Sequence, residues 1–338
     1  MLGLRVAFCY GISMNPRCLV AAIGFLLLAH LEAGDDPVRD AVARALPYLE
    51  EEGTWWIEEK KCVSCHHTSF FVWAKELALE AGFPVDPAVL DQQREWTWQS
   101  FLTEIQPDPK RPENKPKPGE VNGDRNVEGV AQFLISSASS KAPKEVIASL
   151  REIVSSNQGD DGNWSPGGQL PRQQRPAIET QWSSNQWAEL ALKLGGKSPS
   201  RETSTWKEGV PSVSREWQML NLMLRPQNPR ALGQLLELQN EDGGWSWKDG
   251  EESDPSGTGQ ALIALGRSGR AKDHPGVVKR AQEFLVRSQR EDGSWETMST
   301  KDRGDSGRVS DFWGSAWAVI GLLETSPRER PASAQAGP

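Results

Sequence analysis

Two kinds of helical segment alternate along this chain. In one kind, apolar residues recur every three or four positions, as in Val277, Ala281, Phe284 and Leu285, which is typical of a helix with one buried face. In the other kind, apolar and small residues follow one another with few charges, as in DPSGTGQALIALG at residues 254–266. Helices of this second kind can pack on all sides, so the pattern predicts buried inner helices paired with amphipathic outer helices.

The predicted pairs are numerous enough to close into a ring. The inner segments are 68–79, 126–136, 180–195, 214–224, 254–266 and 311–323, and the outer segments are 37–49, 86–104, 144–156, 229–238 and 276–288, with a weak one near 200–210. A closed arrangement leaves no helix at an edge. The sequence therefore predicts an all-α fold, an α/α toroid of about six inner and six outer helices over residues 34–324, followed by a disordered tail at 325–338.

A short repeat, Q-x-x-D-G-x-W, follows several outer segments. Its members are Gln158, Asp161, Gly162 and Trp164; Gln239, Asp242, Gly243 and Trp245; and Gln289, Asp292, Gly293 and Trp295. Asp-Gly favours a turn in which glycine adopts a positive φ. The glutamine amide can bind free backbone groups at a helix end, and the indole can pack over them. We interpret the repeats as structural; a fourth stretch, LEEEGTW from Leu49, keeps only the glycine and the tryptophan.

These repeats and the small-residue helices resemble the squalene–hopene cyclase and protein prenyltransferase superfamily, terpenoid cyclase-like proteins with an α/α-toroid fold. The resemblance extends over most of residues 37–323. It does not imply the chemistry, because the Asp-x-Asp-Asp motif with which such cyclases protonate their substrates is missing from this sequence. The zinc-site signature of the prenyltransferases is not recognisable either. A shared fold does not establish a shared function, so the sequence leaves open whether the protein is an enzyme.

Residues 1–33 have the form of a secretory signal peptide. Arg17 precedes an apolar run from Leu19 to Ala29, which is too short to span a bilayer and is followed by small residues. Met14 is an alternative start, and a buried N-terminal helix is the alternative interpretation. We expect export to the periplasm or the extracellular space, and no stable membrane span.

Composition narrows the possible partners and cofactors. The net charge of −8 argues against nucleic-acid binding. Cys9 and Cys18 would leave with the signal peptide, so Cys62 and Cys65 would be the cysteines of the exported chain, too few for a disulfide scaffold. Fifteen tryptophans against two tyrosines indicate an architecture that specifically uses indole rings.

The segment KKCVSCHHTSFF, residues 60–71, contains the Cys-x-x-Cys-His signature of c-type haem attachment. Cys62 and Cys65 would form the thioethers and His66 would bind the iron, with Met298 as a hypothetical second axial ligand. The segment also resembles the Cys-x-Ser-Cys-His-His element of exported bacterial proteins that combine this repeat type with a cytochrome-like motif. A zinc site using both cysteines and a histidine, a disulfide, and inert thiols are the alternatives.

The long connections all lead from outer to inner helices, so they gather on one rim. The inner helices that start on this rim contain three tryptophans, Trp182, Trp217 and Trp313. Two acids, Asp254 and Asp311, lie at the starts of such helices and are either helix caps or acid catalysts. The favoured hypothesis is haem-based electron transfer or redox chemistry at this mouth, with a redox partner. The alternatives are a cyclase- or prenyltransferase-like enzyme, with an acid in Asp254 or Asp311, and a non-catalytic module that binds an apolar small molecule.

Overall fold

The computed structural model describes residues 36–63, 67–110, 112–167, 170–203, 212–301 and 305–327. Its α-helices are α1 (Pro37–Trp55), α2 (Thr68–Glu80), α3 (Pro87–Leu102), α4 (Val127–Ile135), α5 (Lys144–Ser156), α6 (Ala177–Leu194), α7 (Arg215–Leu224), α8 (Pro229–Glu237), α9 (Pro255–Arg267), α10 (Pro275–Ser288) and α11 (Arg308–Thr325). No strand occurs in the described ranges, only isolated bridges. The predicted all-α class is confirmed.

Six of these helices, α2, α4, α6, α7, α9 and α11, are buried along most of their length. In this order each packs on the next, and α11 packs back on α2, so that their contacts follow a closed circle. They correspond to the six predicted inner segments, with ends that differ by at most a few residues. The correspondence follows from the sequence, because these segments have few charged residues that would need to face water.

Small residues bring the inner helices close together. A Cβ atom on Gly259 of α9 would lie 2.3 Å from the backbone oxygen of Trp317 on α11. Nothing larger than glycine fits at this crossing, which explains the small-residue composition of the inner segments.

The remaining helices lie outside the inner circle, each against one or two inner helices. Helix α1 contacts α2 and α11, α3 contacts α2, α5 contacts α4 and α6, α8 contacts α7, and α10 contacts α9 and α11. Each buries one face, as α10 does with Val278, Ala281, Phe284 and Leu285. The weak outer helix predicted near 200–210 is not formed at residues 200–203, and residues 204–211 lie outside the described part of the chain.

Helix α1 is longer than the sequence predicts. The stretch LEEEGTW was expected to end a helix at about residue 49, but α1 continues to Trp55 and is followed by a π-helical turn, Trp56–Lys60. This stretch lacks the glutamine and aspartate that form the turn in the other repeats. Glu52 and Gly53 are instead buried in the helix. Lys61, with φ 51°, then breaks the helical path.

In each Q-x-x-D-G-x-W repeat the tryptophan fastens the end of an outer helix to the next inner helix. The indole N–H donates to a carbonyl ten residues earlier, and the backbone N–H donates to a side chain of the following inner helix. The indole bonds are Trp164 to Val154 (2.6 Å), Trp245 to Leu235 (2.8 Å) and Trp295 to Leu285 (2.8 Å), and the backbone bonds are Trp164 to Asn185, Trp245 to Thr258 and Trp295 to Ser315.

The repeat glutamines connect each turn to the next outer unit. Each side-chain amide donates both to the carbonyl of its own turn glycine and to a distant carbonyl. The pairs are Gln158 with Gly162 (2.9 Å) and Arg201 (2.9 Å), Gln239 with Gly243 (2.8 Å) and Val277 (3.0 Å), and Gln289 with Gly293 (2.9 Å) and Ala41 (2.8 Å). The turn glycines have φ of 82°, 88° and 85°, a region that favours glycine.

The third repeat joins the two ends of the described chain. Besides its bond to Ala41, the Gln289 side-chain oxygen accepts from the Arg44 guanidinium at 2.6 Å. Gly293 lies so close to α1 that a Cβ atom on it would be 2.0 Å from the Arg44 carbonyl oxygen. The contact between α10 and α1 thus joins the last and the first described outer helices.

The ends of the sequence lie mostly outside the described residues. This holds for the predicted signal peptide at 1–33 and for residues 328–338 of the predicted tail, whereas α11 extends to Thr325. Within the described ranges, no helix combines the length and the apolar character that a membrane span requires.

Candidate functional site

Aromatic side chains from opposite sides of the inner circle meet at its centre. Trp187 of α6 and Trp317 of α11 have ring centroids 6.4 Å apart, although their helices are three places apart in the circle. Phe70 and Trp73 of α2 approach Trp317 to 4.4 and 6.5 Å, and Trp313 approaches it to 6.1 Å. This aromatic plug of five rings occupies the middle of the circle.

A cavity of about 320 Å³, here named the axial cavity, lies beside the plug. Its lining comes from three inner helices and from two of the long outer-to-inner connections, so it opens on the predicted rim. The lining residues are Gln132, Leu170, Gln173, Glu216 and Trp313, with residues 299–301 and 305–310. Its volume is at the lower end of the range of about 300–1,000 Å³ typical of small-molecule sites.

Glu216 contributes a buried carboxylate to the wall of the axial cavity. One oxygen accepts from the Trp187 indole at 2.8 Å, and the other accepts from the Arg175 guanidinium at 2.8 Å. The Arg175 side chain is 0 % exposed and also donates to Ser214 and Thr180. This network fixes the start of α7, the start of α6 and the connection before α6 relative to one another.

Glu128, at the start of α4, is a second buried acid. Its Oε1 accepts from the Ser184 hydroxyl at 2.6 Å and from the Gly167 N–H at 3.1 Å, whereas Oε2 has no hydrogen-bond partner in the described structure. Burial raises the pKa of Glu128, and the nearby charge of Glu216 acts in the same direction, although the two hydrogen bonds oppose the change. The neutral carboxylic acid is therefore favoured more strongly here than at an exposed glutamate.

We expect Glu128→Gln to remove a component of the pH dependence of stability. Since the pKa is raised, the folded protein binds this proton more tightly than the unfolded chain, in which glutamate titrates at about 4.3. The stability that the neutral form contributes is complete below that pH and is lost as the pH rises toward the folded pKa. Thermal melts across a pH series should show the wild type losing stability relative to the variant as the pH rises above about 4.3. Glu283→Gln, on the exposed face of α10, is the control and should follow the wild type; parallel curves for wild type and Glu128→Gln would contradict the prediction.

The two acids predicted as catalysts accept hydrogen bonds from backbone N–H groups at the rim. Asp254 is the N-cap of α9, and its Oδ2 accepts from the Trp247 N–H at 2.7 Å. Asp311 accepts from the Thr297 N–H at 2.8 Å and from the Arg290 guanidinium at 3.0 Å. Neither residue lines the axial cavity. Asp254 therefore has the predicted capping role, whereas Gly307 is the N-cap of α11 and Asp311 lies inside the first turn. A catalytic role for either acid stays a prediction.

The Cys-x-x-Cys-His-His segment is described only in part. Cys62 is an exposed free cysteine whose carbonyl accepts from the Trp56 indole at 2.8 Å. Partial desolvation raises the pKa of its thiol, which lowers the fraction of reactive thiolate at neutral pH. Cys65 and His66, predicted to bind haem or a metal, lie outside the described residues.

The described residues near the motif enclose the second histidine, and the haem stays a prediction because Cys65 and His66 are not among them. The His67 imidazole is fully buried between two aromatic rings, Trp56 at 3.9 Å and Phe312 at 4.2 Å between centroids. Neither Cys62 nor His67 lines the axial cavity. Met298, the hypothetical second iron ligand, is 38 % exposed and forms a backbone bridge with Ser306.

The zinc alternative is likewise not supported by the part of the chain that the structure describes. Among those residues, no three histidine, cysteine, aspartate or glutamate side chains lie together as metal ligands do. Because the predicted ligands Cys65 and His66 are outside them, the zinc site stays an alternative.

The polar residues of the ring interior were not predicted from the sequence. Gln132 and Glu128 lie in a mostly apolar inner segment, and this isolation was a usable signal, because a polar group in a buried helix needs a partner or a function. Glu216 gave no such signal, since Arg215 and Gln218 are polar residues of the same helix. Arg175 could not be found in this way, since it belongs to the connection before α6. Of the tryptophans predicted at the mouth, Trp313 lines the axial cavity, whereas Trp182 and Trp217 are buried but do not line it.

Comparisons with known proteins support part of the predicted resemblance. The chain is 46 % identical over 63 residues to a drimenyl diphosphate synthase from Streptantibioticus cattleyicolor and 44 % identical over 68 residues to one from Streptomyces showdoensis. These stretches are 19 % and 20 % of this chain and only 11 % and 13 % of the two enzymes.

Comparisons over the whole chain give weaker similarity. A solved structure described as a possible GH105-family member from Klebsiella pneumoniae matches 85 % of this chain and 81 % of its own at a TM-score of 0.38 and 13 % identity. No protein-family model matches the chain. The similarity to terpenoid cyclase-like proteins is therefore supported over about a fifth of the sequence.

Proposed function

We propose that this protein binds an isoprenoid-like ligand in the axial cavity, as a terpenoid cyclase-like binding protein or enzyme. The observation that carries the proposal is the junction of the aromatic plug with the axial cavity. Trp313 belongs to both, so a ligand in the cavity rests on an indole ring that is itself held by Trp317.

The chemistry of the lining suits such a ligand. Indole faces offer a large apolar contact area to a hydrocarbon chain, and their electron-rich faces also stabilise cations. The partial similarity to drimenyl diphosphate synthases points in the same direction.

Ligand titration with tryptophan fluorescence tests the proposal. Farnesol, a short isoprenoid alcohol, should quench the emission saturably in the wild type. Trp313→Leu should weaken binding by roughly twofold to tenfold, since it removes an aromatic contact worth about 0.5–1.5 kcal/mol beyond simple burial. Trp98→Leu, at a partly buried position on the outer helix α3, is the matched control and should bind as the wild type does. Absence of saturable quenching by any isoprenoid probe would refute the proposal.

Product analysis of the same mixtures decides between binding and catalysis. Acid-initiated turnover requires a protonated carboxyl group near the ligand. Turnover that Asp311→Asn or Asp254→Asn abolishes would support the predicted acids, and turnover that only Glu128→Gln abolishes would assign the proton to Glu128. Binding without product would establish the non-catalytic role.

Haem-based electron transfer is the second candidate, and it rests on the sequence signature from Cys62 to His66. The mature protein, produced in a host that matures c-type cytochromes, would then show a Soret band that survives denaturation and disappears in Cys62→Ala/Cys65→Ala. Met298→Ala would alter the spectrum if Met298 is the second ligand. A colourless protein, negative in a haem stain after denaturing electrophoresis, would exclude this candidate.

A further inference from the structure

Two of the long connections meet at the rim of the inner circle. The Gln174 N–H donates to the Thr300 carbonyl at 2.8 Å, and the Gln174 side-chain amide donates to the Lys301 carbonyl at 2.6 Å. The Gln173 side-chain amide adds a longer bond, of 3.4 Å, to the Thr300 hydroxyl. The first pair of residues precedes α6 and the second precedes α11, and these helices are three places apart in the circle. The bonds, here named the seam, therefore join opposite sides of the rim.

The seam belongs to the wall of the axial cavity. Gln173 lines the cavity from one connection, and Thr300 and Lys301 line it from the other. Gln174 and Lys301 are also exposed, so the seam has solvent on one side and the cavity on the other. Separation of the two connections would open this part of the wall.

The two sides of the seam are anchored differently. Next to Gln174, the fully buried side chain of Arg175 donates to the buried Glu216 at 2.8 Å, and such an ion pair is costly to break. On the other side, the Ser299 N–H donates to the Asp305 carbonyl at 2.7 Å, a bond within the same connection. The side before α6 is thus fixed in the protein interior, whereas the side before α11 folds back on itself. Opening would therefore move the side before α11.

We propose that the seam is a gate: residues 299–301 separate from Gln173 and Gln174 to admit a ligand to the axial cavity, and then close again. The gate rests on the proposed function, because it controls access to the same cavity. Hydrogen bonds at an exposed position contribute little net stability, so local opening occurs under native conditions. The seam is closed both in the free protein and around the bound ligand. The gate therefore governs how fast a ligand enters and leaves, and not how tightly it binds.

Proteolysis tests the opening of the seam without any ligand. A lysine-specific endoprotease cleaves after Lys301, whose carbonyl is itself bonded in the seam. When opening is fast relative to cleavage, the cleavage rate follows the population of the open form. Gln174→Leu removes the side-chain bond and should accelerate this cleavage by about twofold to tenfold, the effect of one net hydrogen bond.

Two controls accompany this measurement. Cleavage after Lys110, in the exposed connection before α4, is the internal reference and should keep its rate. Gln99→Leu, which removes a glutamine bond at an exposed position of α3, is the matched variant and should change neither rate. An unaltered rate at Lys301 in Gln174→Leu would overturn the gate, whether or not a ligand binds.

Binding kinetics test whether the gate controls access. Stopped-flow quenching of the tryptophan emission by farnesol gives the association and dissociation rate constants. Gln174→Leu should raise both by the factor seen in proteolysis and leave Kd unchanged, and Gln99→Leu should follow the wild type. Faster cleavage with unchanged farnesol rates would overturn the gate and leave the proposed function standing. Faster cleavage in a protein that binds no isoprenoid probe would end the proposed function and still support the opening of the seam.

Discussion

Gly293→Ala should destabilise the protein by at least about 3 kcal/mol, which is a large effect for a single added methyl group. Two causes add. The φ of 85° places an L-residue in the left-handed region, at a cost of about 1–2 kcal/mol. The new Cβ would also lie 2.0 Å from the Arg44 carbonyl oxygen, and this clash can be relieved only by moving α1 away from α10.

Gly250→Ala separates the two causes. Gly250 has a similar φ of 81°, but a Cβ atom there would meet nothing within 4 Å. This control should lose only the conformational cost of about 1–2 kcal/mol. Chemical denaturation of both variants gives the comparison, and equal losses would show that the contact between Gly293 and α1 contributes nothing to stability.

Arg175→Met is expected to cost about 3–5 kcal/mol, because it leaves the Glu216 carboxylate buried without its cationic partner. Both side chains are almost completely buried, at 0 % and 2 % exposure, so water cannot replace the lost bond. Adding Glu216→Met should recover a large part of the loss, since replacing a buried pair by apolar groups is often close to neutral. Urea denaturation of the single and double variants measures both effects.

Lys279→Met is the control, because it removes an ion pair at the protein surface. Lys279 pairs with Glu283 along α10 at 3.8 Å, and both side chains are more than half exposed, so the loss of this ion pair should cost less than about 0.5 kcal/mol.

The double variant of Arg175 and Glu216 decides how the buried arginine acts. If it is no more stable than Arg175→Met alone, the arginine acts by packing and not by compensating the buried charge.

The inner helices could be predicted because a helix that is buried on all sides has few charged residues and many small ones. The segment 254–266 matches α9, Pro255–Arg267, since its glycines and alanines suit contacts as close as that of Gly259 with Trp317. The predicted end of α1 was wrong, because the glycine and the tryptophan of LEEEGTW resemble those of the Q-x-x-D-G-x-W repeats. The turn depends on the missing aspartate and glutamine, which supply its side-chain hydrogen bonds.

The candidate site was harder to predict, because it depends on pairs of residues from distant segments. Arg175 and Glu216 are 41 positions apart, and no local pattern indicates that they form a buried ion pair. Asp254 and Asp311 were singled out because they lie near the starts of inner helices. Asp254 caps α9 through the Gly257 N–H, whereas Asp311 lies inside the first turn of α11 and accepts from the Thr297 N–H of the preceding connection. Position along a helix distinguishes these roles poorly; the partners of both oxygens distinguish them well.

The bond between Gln289 and Ala41 has a consequence for how the chain acquires its fold. These residues are 248 positions apart, so α1 receives its final neighbours only after the third repeat has been synthesised. Until then Ala41, Val42, Ala45 and Leu49 of α1, which the folded protein buries, have no complete surface to pack against. Contacts of such long range slow folding and prolong the exposure of apolar surface. Helix α1 is therefore a segment that needs protection from aggregation during synthesis.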